Sequence, residues 1–357
     1  MTTSWLRIYI APLVLTMHCA LAQPDLSRTI QIATGSGLMT AAIAVSPKSG
    51  PIWILMHGPD ALWRLDADGR NGRVVPIAAR DDPKMFLESF LQVTAIGDVY
   101  LVGKTREQPW LIKIASSGQM VFMRPIDIRG LHAMGLKANP DSTWTVFGEN
   151  YSGACVARID ENGHKVWMRT FARDKLATLF LGGAVLRDGS AIAAGNIWDG
   201  RENISMGLAS TILVKVSSQG VTLAEKVFPG RNAALAQTED GQIILIDDPQ
   251  SYAATGELMT KGARWPMRMQ AWSGDLKPLW TATMPALLAG LLQPEVLPAP
   301  GSGVIVLAGA GGLPLRWPAT TAPGRKSGWR TLGKDSGRWE GTPAGLSWSR
   351  AARMTRC

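Results

Sequence analysis

The chain has four histidines, and His57, His132 and His164 are spread widely through its body. None belongs to an H-E-x-x-H or H-x-H pair, and Cys19, Cys155 and Cys357 add no metal-ligand spacing. In "LDADGRNG", Leu65 to Gly72, Asp66 and Asp68 suit the first two oxygen positions of a Ca²⁺ loop. Arg70 stands where the third oxygen belongs, so the stretch reads as a hairpin turn. The glycines of "GAGG", Gly309 to Gly312, precede no Lys-Ser/Thr and form no phosphate loop. A G-x-S-x-G nucleophile turn is absent. Two acidic pairs remain, Asp81-Asp82 and Asp247-Asp248. Paired carboxylates do acid–base work only where a pocket separates their pKa values, and both pairs are expected to be solvated loop residues. Cys155, inside an apolar strand pattern, is expected to be a buried thiol, and His164, just after a turn glycine, a solvated side chain. The sequence therefore assigns no catalytic, cofactor-binding or metal-ligating residue and implies no cofactor.

The elements that would position any site are repeats. "LWRLDADGRNGRV" begins at Leu62, "LIKIASSGQMVFMRPI" at Leu111, "VARIDENGHKVWMRTF" at Val156 and "LVKVSSQGVTLAEKVF" at Leu213. A weaker copy, "MQAWSGDLKPLW", begins at Met269, with Leu276 in place of the turn glycine. The common form is apolar-x-[Lys/Arg]-apolar, a polar turn closing on glycine, and a second alternating strand. Alternation of this kind marks half-buried strands, and glycine supplies the positive φ that tight hairpin turns require. Before each copy runs a turn and a strand, centred on Gly50, Gly97, Ser142, Gly189, Gly241 and Gly303, with spacings of 47, 45, 47, 52 and 62 residues. Units of three to four strands at this period predict an all-β chain, a β-propeller of about six blade repeats. Extra residues in "NIWDGRENISMGLAST" and "PQSYAATGELMTKGARWP" fall within hairpin loops on one rim.

On "LIKIASSG" and "VARIDENGHKVWMRTF" the chain resembles bacterial exported β-propellers with PQQ-like, or delta-60-type, repeats, over roughly residues 45–310. The resemblance implies the fold more than an activity: such families include quinoprotein dehydrogenases, assembly-machine scaffolds and proteins of unassigned role. A quinone site of that kind uses rim acids, a Ca²⁺ site and a tryptophan platform. Several of the body's tryptophans recur at the hairpin end, as Trp167 and Trp280 do, where packing between blades accounts for them.

The ends differ from the body. Residues 1–22 read as a signal peptide: Arg7, the apolar "IYIAPLVLTMHCALA" and the small residues Ala20-Leu21-Ala22 predict cleavage after Ala22. No later stretch is apolar enough over a sufficient length to span a bilayer as a helix. Residues 23–315 are expected to be the propeller, periplasmic or secreted. In the sixth unit the hairpin due near Leu315 is missing, which predicts an interrupted sixth blade and an incomplete ring. In its place come residues 316–357, an irregular tail with four of the chain's fourteen tryptophans. Two readings of the tail stand: a disordered basic segment, or translation out of frame. Shifting the frame from the third base of the Arg316 codon permits "VARYDRAGAEIW", close to the "VARIDENGHKVW" of the third repeat. The tail has nine basic and two acidic residues, so it carries +7 of the net charge of +9 and leaves the body nearly neutral. A nucleic-acid footprint needs basic residues gathered on a folded face, so no nucleic-acid partner is expected. The function expected is that of an exported, non-catalytic scaffold binding an unknown protein or small ligand at a propeller rim. The alternatives are a frame-broken product without function, or a quinoprotein-like or hydrolytic enzyme.

Overall fold

The computed structural model describes residues 6–9, 31–34, 39–45, 50–57, 61–67, 71–77, 86–88, 90–105, 108–199, 209–249, 264–265, 267–283, 287–288, 295–299, 303–307, 315–317 and 330–331. The cleavage site after Ala22, Asp68, Arg70, Asp81-Asp82, Gly309 to Gly312 and the tail beyond its short strands lie outside the described residues.

The described chain is all-β, without a helix, and has the β-propeller architecture. Six antiparallel sheets succeed one another, each a meander of four strands in chain order. Blade 1 comprises Met39–Val45, Ile52–His57, Ala61–Leu65 and Arg73–Val75. In blade 2 the first strand is broken into Phe86–Leu87 and Gln92–Val93, followed by Val99–Thr105, Gln108–Ile114 and Met120–Pro125. Blade 3 is His132–Ala138, Trp144–Asn150, Gly153–Ile159 and Lys165–Phe171. Blade 4 is Leu176–Val185, Ala191–Asp199, Ala209–Val216 and Thr222–Pro229. Blade 5 is Arg231–Gln237, Ile243–Asp248, Arg268–Trp272 and Pro278–Thr283. Blade 6 has two strands of ordinary length, Glu295–Ala299 and Gly303–Leu307, and then the short Leu315–Trp317 and Arg330–Thr331. The sixth repeat is interrupted where the sequence pattern stops, and no pairing among the described strands closes blade 6 onto blade 1. Apart from the blades, Leu6–Tyr9 pairs with Gln31–Thr34 and Arg264–Trp265 with Leu287–Leu288.

Among the described residues the repeated hairpin shows one turn design four times, in blades 2 to 5. In blade 3, Gly163 N–H donates to the Asp160 carbonyl (3.1 Å) and Asp160 N–H to the His164 carbonyl (3.0 Å), with Gly163 at φ 86°. The same two bonds recur at Ala115/Gly118, Ser217/Gly220 and Ser273/Leu276. At the last, Leu276 takes φ 54°, a left-handed conformation that costs a branched side chain roughly 1–2 kcal/mol. Its burial to 1% exposure beside Ile243, Leu245 and Trp272 offsets that cost.

Alternate residues of each strand face opposite neighbours, so every blade contributes to two seams. Trp144 and Val146 join the core between blades 2 and 3, while Phe147 joins Phe180 and Val214 between blades 3 and 4. Comparable clusters fill the other seams between consecutive blades. The fourth strands bear exposed Val121, Val166, Leu223 and Leu279 and form the outer edge. Turns between second and third strands open on one face of the ring and those between third and fourth on the other. The strands that precede the two insertions in sequence, Ala191–Asp199 and Ile243–Asp248, end on the same face.

Candidate functional site

That face has a register of its own. In blades 1, 3, 4 and 5 the first strand carries a bulge, near its start in blades 1, 3 and 5 and midway in blade 4. Across the bulge the second strand presents Gly148 in blade 3 and Gly195 in blade 4. A Cβ on Gly148 would overlap the His132 carbonyl oxygen, and one on Gly195 the carbonyl oxygen of Leu179, so these two blades require glycine there. One step further along lie the cross-strand pairs His132–Glu149 in blade 3, Leu179–Asn196 in blade 4 and Arg231–Asp248 in blade 5. Phe86 and Lys104 form the corresponding pair in blade 2. The inner rim of this face is thus built from one position repeated around the ring, occupied by different chemistry in each blade.

Between blades 2 and 3 these positions border an open cleft of about 530 Å³ lined by Phe86, Glu88, Lys104, Gly130, His132, Glu149, Asn150 and Tyr151. His132 holds it together. Its Nδ1 lies 3.2 Å from Glu149 Oε1 and its Nε2 3.3 Å from Glu88 Oε2, so one imidazole bridges carboxylates from two blades. Hydrogen bonds to Glu149 and then Glu88 raise its pKa to about 9, against the opposing effect of partial burial. At neutral pH the ring is an imidazolium between two carboxylates. Phe86 and Tyr151 flank the cleft, each 69% exposed, and they are the aromatic members of the exposed large apolar set on the described surface. The Tyr151 ring lies against Gly130, where any Cβ would meet it.

A second cluster lies in the seam between blades 4 and 5 and corrects one sequence expectation. Asp247 and Asp248 are not solvated loop residues: they end the strand Ile243–Asp248 and are 0% and 2% exposed. Asp247 occupies the position of Gly148 and Gly195. Its carboxylate is paired with Arg268, whose Nε donates to Oδ1 at 2.9 Å and whose Nη2 donates to Oδ2. Thr211 Oγ1 of blade 4 donates to Oδ2 at 3.2 Å, and the same Arg268 Nη2 donates to the Pro229 carbonyl at 2.7 Å. Burial pushes the Asp247 carboxyl up, while Arg268, Thr211 and Gln270 pull it the other way. Arg231 donates twice to Asp248 Oδ2, from Nε at 3.0 Å and Nη2 at 2.8 Å, and burial lowers the Arg231 pKa. Gly230, at φ 153°, passes so close that a Cβ would strike Asp247, Thr211 and Arg268. The loop expectation failed because the turn signal after Asp248 is real but begins one residue later.

The other singled-out residues stay apart. His57 ends a strand of blade 1 opposite Met39, at the rim position that Glu149 and Asp248 hold in their blades and away from the cleft between blades 2 and 3. His164 is exposed in its turn, with Nδ1 3.0 Å from Asp160 Oδ2. Cys155 is fully buried in the seam between blades 2 and 3, and desolvation pushes its thiol up to about 12, far from a nucleophile's range. Asp66 accepts from Asn71 Nδ2 at 2.7 Å and Arg64 Nη1 at 3.2 Å, as a turn residue does. Trp167 is interblade packing: its Nε1 donates to the Ser218 carbonyl of blade 4 at 2.8 Å. Sequence reasoning did not single out Glu88, Glu149, Phe86 or Tyr151. Aligning the repeats on the Gly148 position would have put Lys104 and Glu149 in one register, but Glu88 follows a broken strand with no such marker.

No protein-family model matches the chain, and no curated protein matches it. Solved structures are similar in fold. Hsv2 of Kluyveromyces lactis, with its loop 6CD replaced by a Gly-Ser linker, aligns at TM-score 0.51 and 8% identity over 85% of this chain and 86% of that one. A protein of unknown function from Dyadobacter fermentans aligns at TM-score 0.49 and 9% identity, covering 83% and 94%. The β-propeller domain of Cps50 (Swd1) from Myceliophteria thermophila aligns at TM-score 0.48 and 9% identity, covering 77% and 82%. At these identities the likeness concerns the fold.

Proposed function

We propose that this chain is an exported, non-catalytic propeller of the PQQ-like repeat kind, and that it holds a protein or small ligand on the face bearing the cleft between blades 2 and 3. The observation that carries the reading is the cleft itself. Two strongly exposed aromatic rings, Phe86 and Tyr151, flank a charged floor pinned by His132. Exposed apolar groups gathered beside charges mark contact surfaces. The strands that lead into both long insertions, Ala191–Asp199 and Ile243–Asp248, end on the same face, and variable loops on a rigid propeller are where such folds carry specificity. The leader supports export to the periplasm or medium, and the near-neutral body supports partners other than nucleic acid.

The test compares two double variants tagged and exported from the native host. Phe86→Ser with Tyr151→Ser alters the cleft, and Val121→Ser with Val166→Ser alters the outer edge. The reading expects a co-purifying component that is lost with the first pair and kept with the second. Equal retention by both, or equal loss, contradicts it.

One specific observation favours the second reading, a frame-broken product without function. Among the described residues the last two strands of blade 6 are three and two residues long, where the third and fourth strands of blades 2 to 5 have five to eight and those of blade 1 five and three.

A further inference from the structure

We propose that the cleft between blades 2 and 3 takes an amphoteric ligand of dipeptide size, a short apolar peptide held by both its charged ends. The inference rests on the binding role just proposed and names the ligand class. Three features of the cleft converge on it.

The first is charge. With His132 protonated, Glu88 and Glu149 leave the clamp with one net negative charge, and each carboxylate spends one oxygen on the imidazole. Glu149 Oε2 takes no hydrogen bond among the described residues, and the Glu149 side chain is 36% exposed. Lys104 also lines the cleft and forms no ion pair among the described residues. A bound ligand therefore meets an available carboxylate oxygen on blade 3 and an available ammonium on blade 2. An anion alone would face two glutamates, and a cation alone would face Lys104. A ligand with an ammonium and a carboxylate is opposed by neither.

The second is spacing. Lys104 and Glu149 occupy the same register position in neighbouring blades, so the two anchors stand on separate sheets. Anchors on two different sheets can each meet one charged end of a short chain laid across the seam. The cleft volume of about 530 Å³ lies in the range of sites for ligands larger than a single amino acid.

The third is apolar contact. Phe86 and Tyr151 stand on blades 2 and 3 and present rings from both sides. The side chains of an apolar dipeptide would cover these rings while its termini reach the charges.

The experiment is calorimetric titration of the full chain at neutral pH with Leu-Phe, its N-acetyl derivative, its C-terminal amide, and free phenylalanine. Leu-Phe is expected to bind, and each capped form to bind about tenfold more weakly or worse, the value of one charge-assisted contact. Free phenylalanine is expected to bind more weakly than Leu-Phe. Lys104→Met should erase the difference between acid and amide, and Glu149→Gln the difference between free and acetylated amine. Unchanged melting curves of both variants establish that they fold. Equal binding of all three dipeptide forms, phenylalanine binding as tightly as Leu-Phe, or no binding at millimolar concentration overturns the proposal. If the Phe86/Tyr151 pair still controls co-purification in that event, the ligand class fails alone. If neither experiment responds, the binding role fails with it.

Discussion

Arg158 Nη1 in blade 3 donates to the Ser218 carbonyl in the turn of blade 4, at 2.8 Å. Arg158 is the basic residue of the repeated apolar-x-[Lys/Arg]-apolar pattern, and its partner is the repeated turn of the next blade. The relation recurs: Arg64 Nε of blade 1 donates to the Ser116 carbonyl of blade 2 at 2.6 Å, and Lys215 Nζ of blade 4 donates to Asp275 Oδ1 of blade 5 at 2.8 Å. In blades 1, 3 and 4 the basic residue of the hairpin is a strap to the next blade, whereas Lys113 of blade 2 pairs with Asp98 of its own blade at 3.0 Å. Trp167, in register with Arg158 across the hairpin, donates to the same Ser218 carbonyl and doubles the tie.

Arg158→Met should therefore destabilise the chain by about 2 kcal/mol, the scale for losing hydrogen bonds from a buried charged group. The guanidinium also serves Asp141 Oδ2 and Thr143 Oγ1, both at 2.7 Å, and its side chain is 7% exposed. Lys215→Met should cost less, because Asp275 is 76% exposed and solvent takes over its charge. Urea unfolding of the two variants measures the order. Equal losses would show that the straps do not share the work as described.

The His132 clamp predicts an alkaline loss of stability. Its folded pKa of about 9 lies above the ordinary 6.5, so the ion pairs with Glu149 and Glu88 contribute fully below about pH 6.5. Their contribution fades as pH rises through about 9. With the His132 side chain 42% exposed, screening limits the effect to about 1 kcal/mol. Melting temperatures followed from neutral to alkaline pH should fall for the parent chain and fall less for His132→Gln. Parallel curves would remove the clamp from the account.

The Asp247–Arg268 pair predicts coupling rather than net stabilisation. Asp247→Asn should cost about 3 kcal/mol, since it leaves the Arg268 guanidinium without its carboxylate in a mostly buried seam. Adding Arg268→Met should recover more than half of that loss, because a buried pair replaced as a unit costs little. A double-mutant cycle in urea measures the interaction, and additive losses would contradict it.

Much of the fold was legible because the propeller repeats itself. The turn at Gly163 and its copies fixed the hairpins, and the spacing of Gly50, Gly97 and Ser142 fixed the blades. Even the Leu276 substitution was visible, although its left-handed backbone was not. The site was less legible for a physical reason. Periodic patterns report which residues face a seam, whereas a binding cleft is made by departures from the pattern. Asp247 in a glycine position is such a departure, and it was misjudged because composition after Asp248 reads as loop. The His132 clamp joins residues from two blades across a seam, and pairwise spacing along the chain says nothing about that contact.

The end of blade 6 predicts something about the gene. If the tail is translated out of frame, reading from the third base of codon 316 should give a hairpin close to Ala-Arg, a polar turn, Gly and Trp, continuing without an early stop. Sequencing the source DNA and the neighbouring bases decides it: an immediate stop, or no such hairpin, leaves the basic tail as the native end of blade 6.

The central claim, that the face with the His132 cleft is where this propeller binds, is tested most directly by site-specific photo-cross-linking in the native host. A photoreactive amino acid is placed at position 151, beside the cleft, or at position 166, on the outer edge of the same blade. Discrete cross-linked adducts from position 151 with none from position 166 are the expected result. Adducts from position 166 alone, or the same adducts from both, would contradict it.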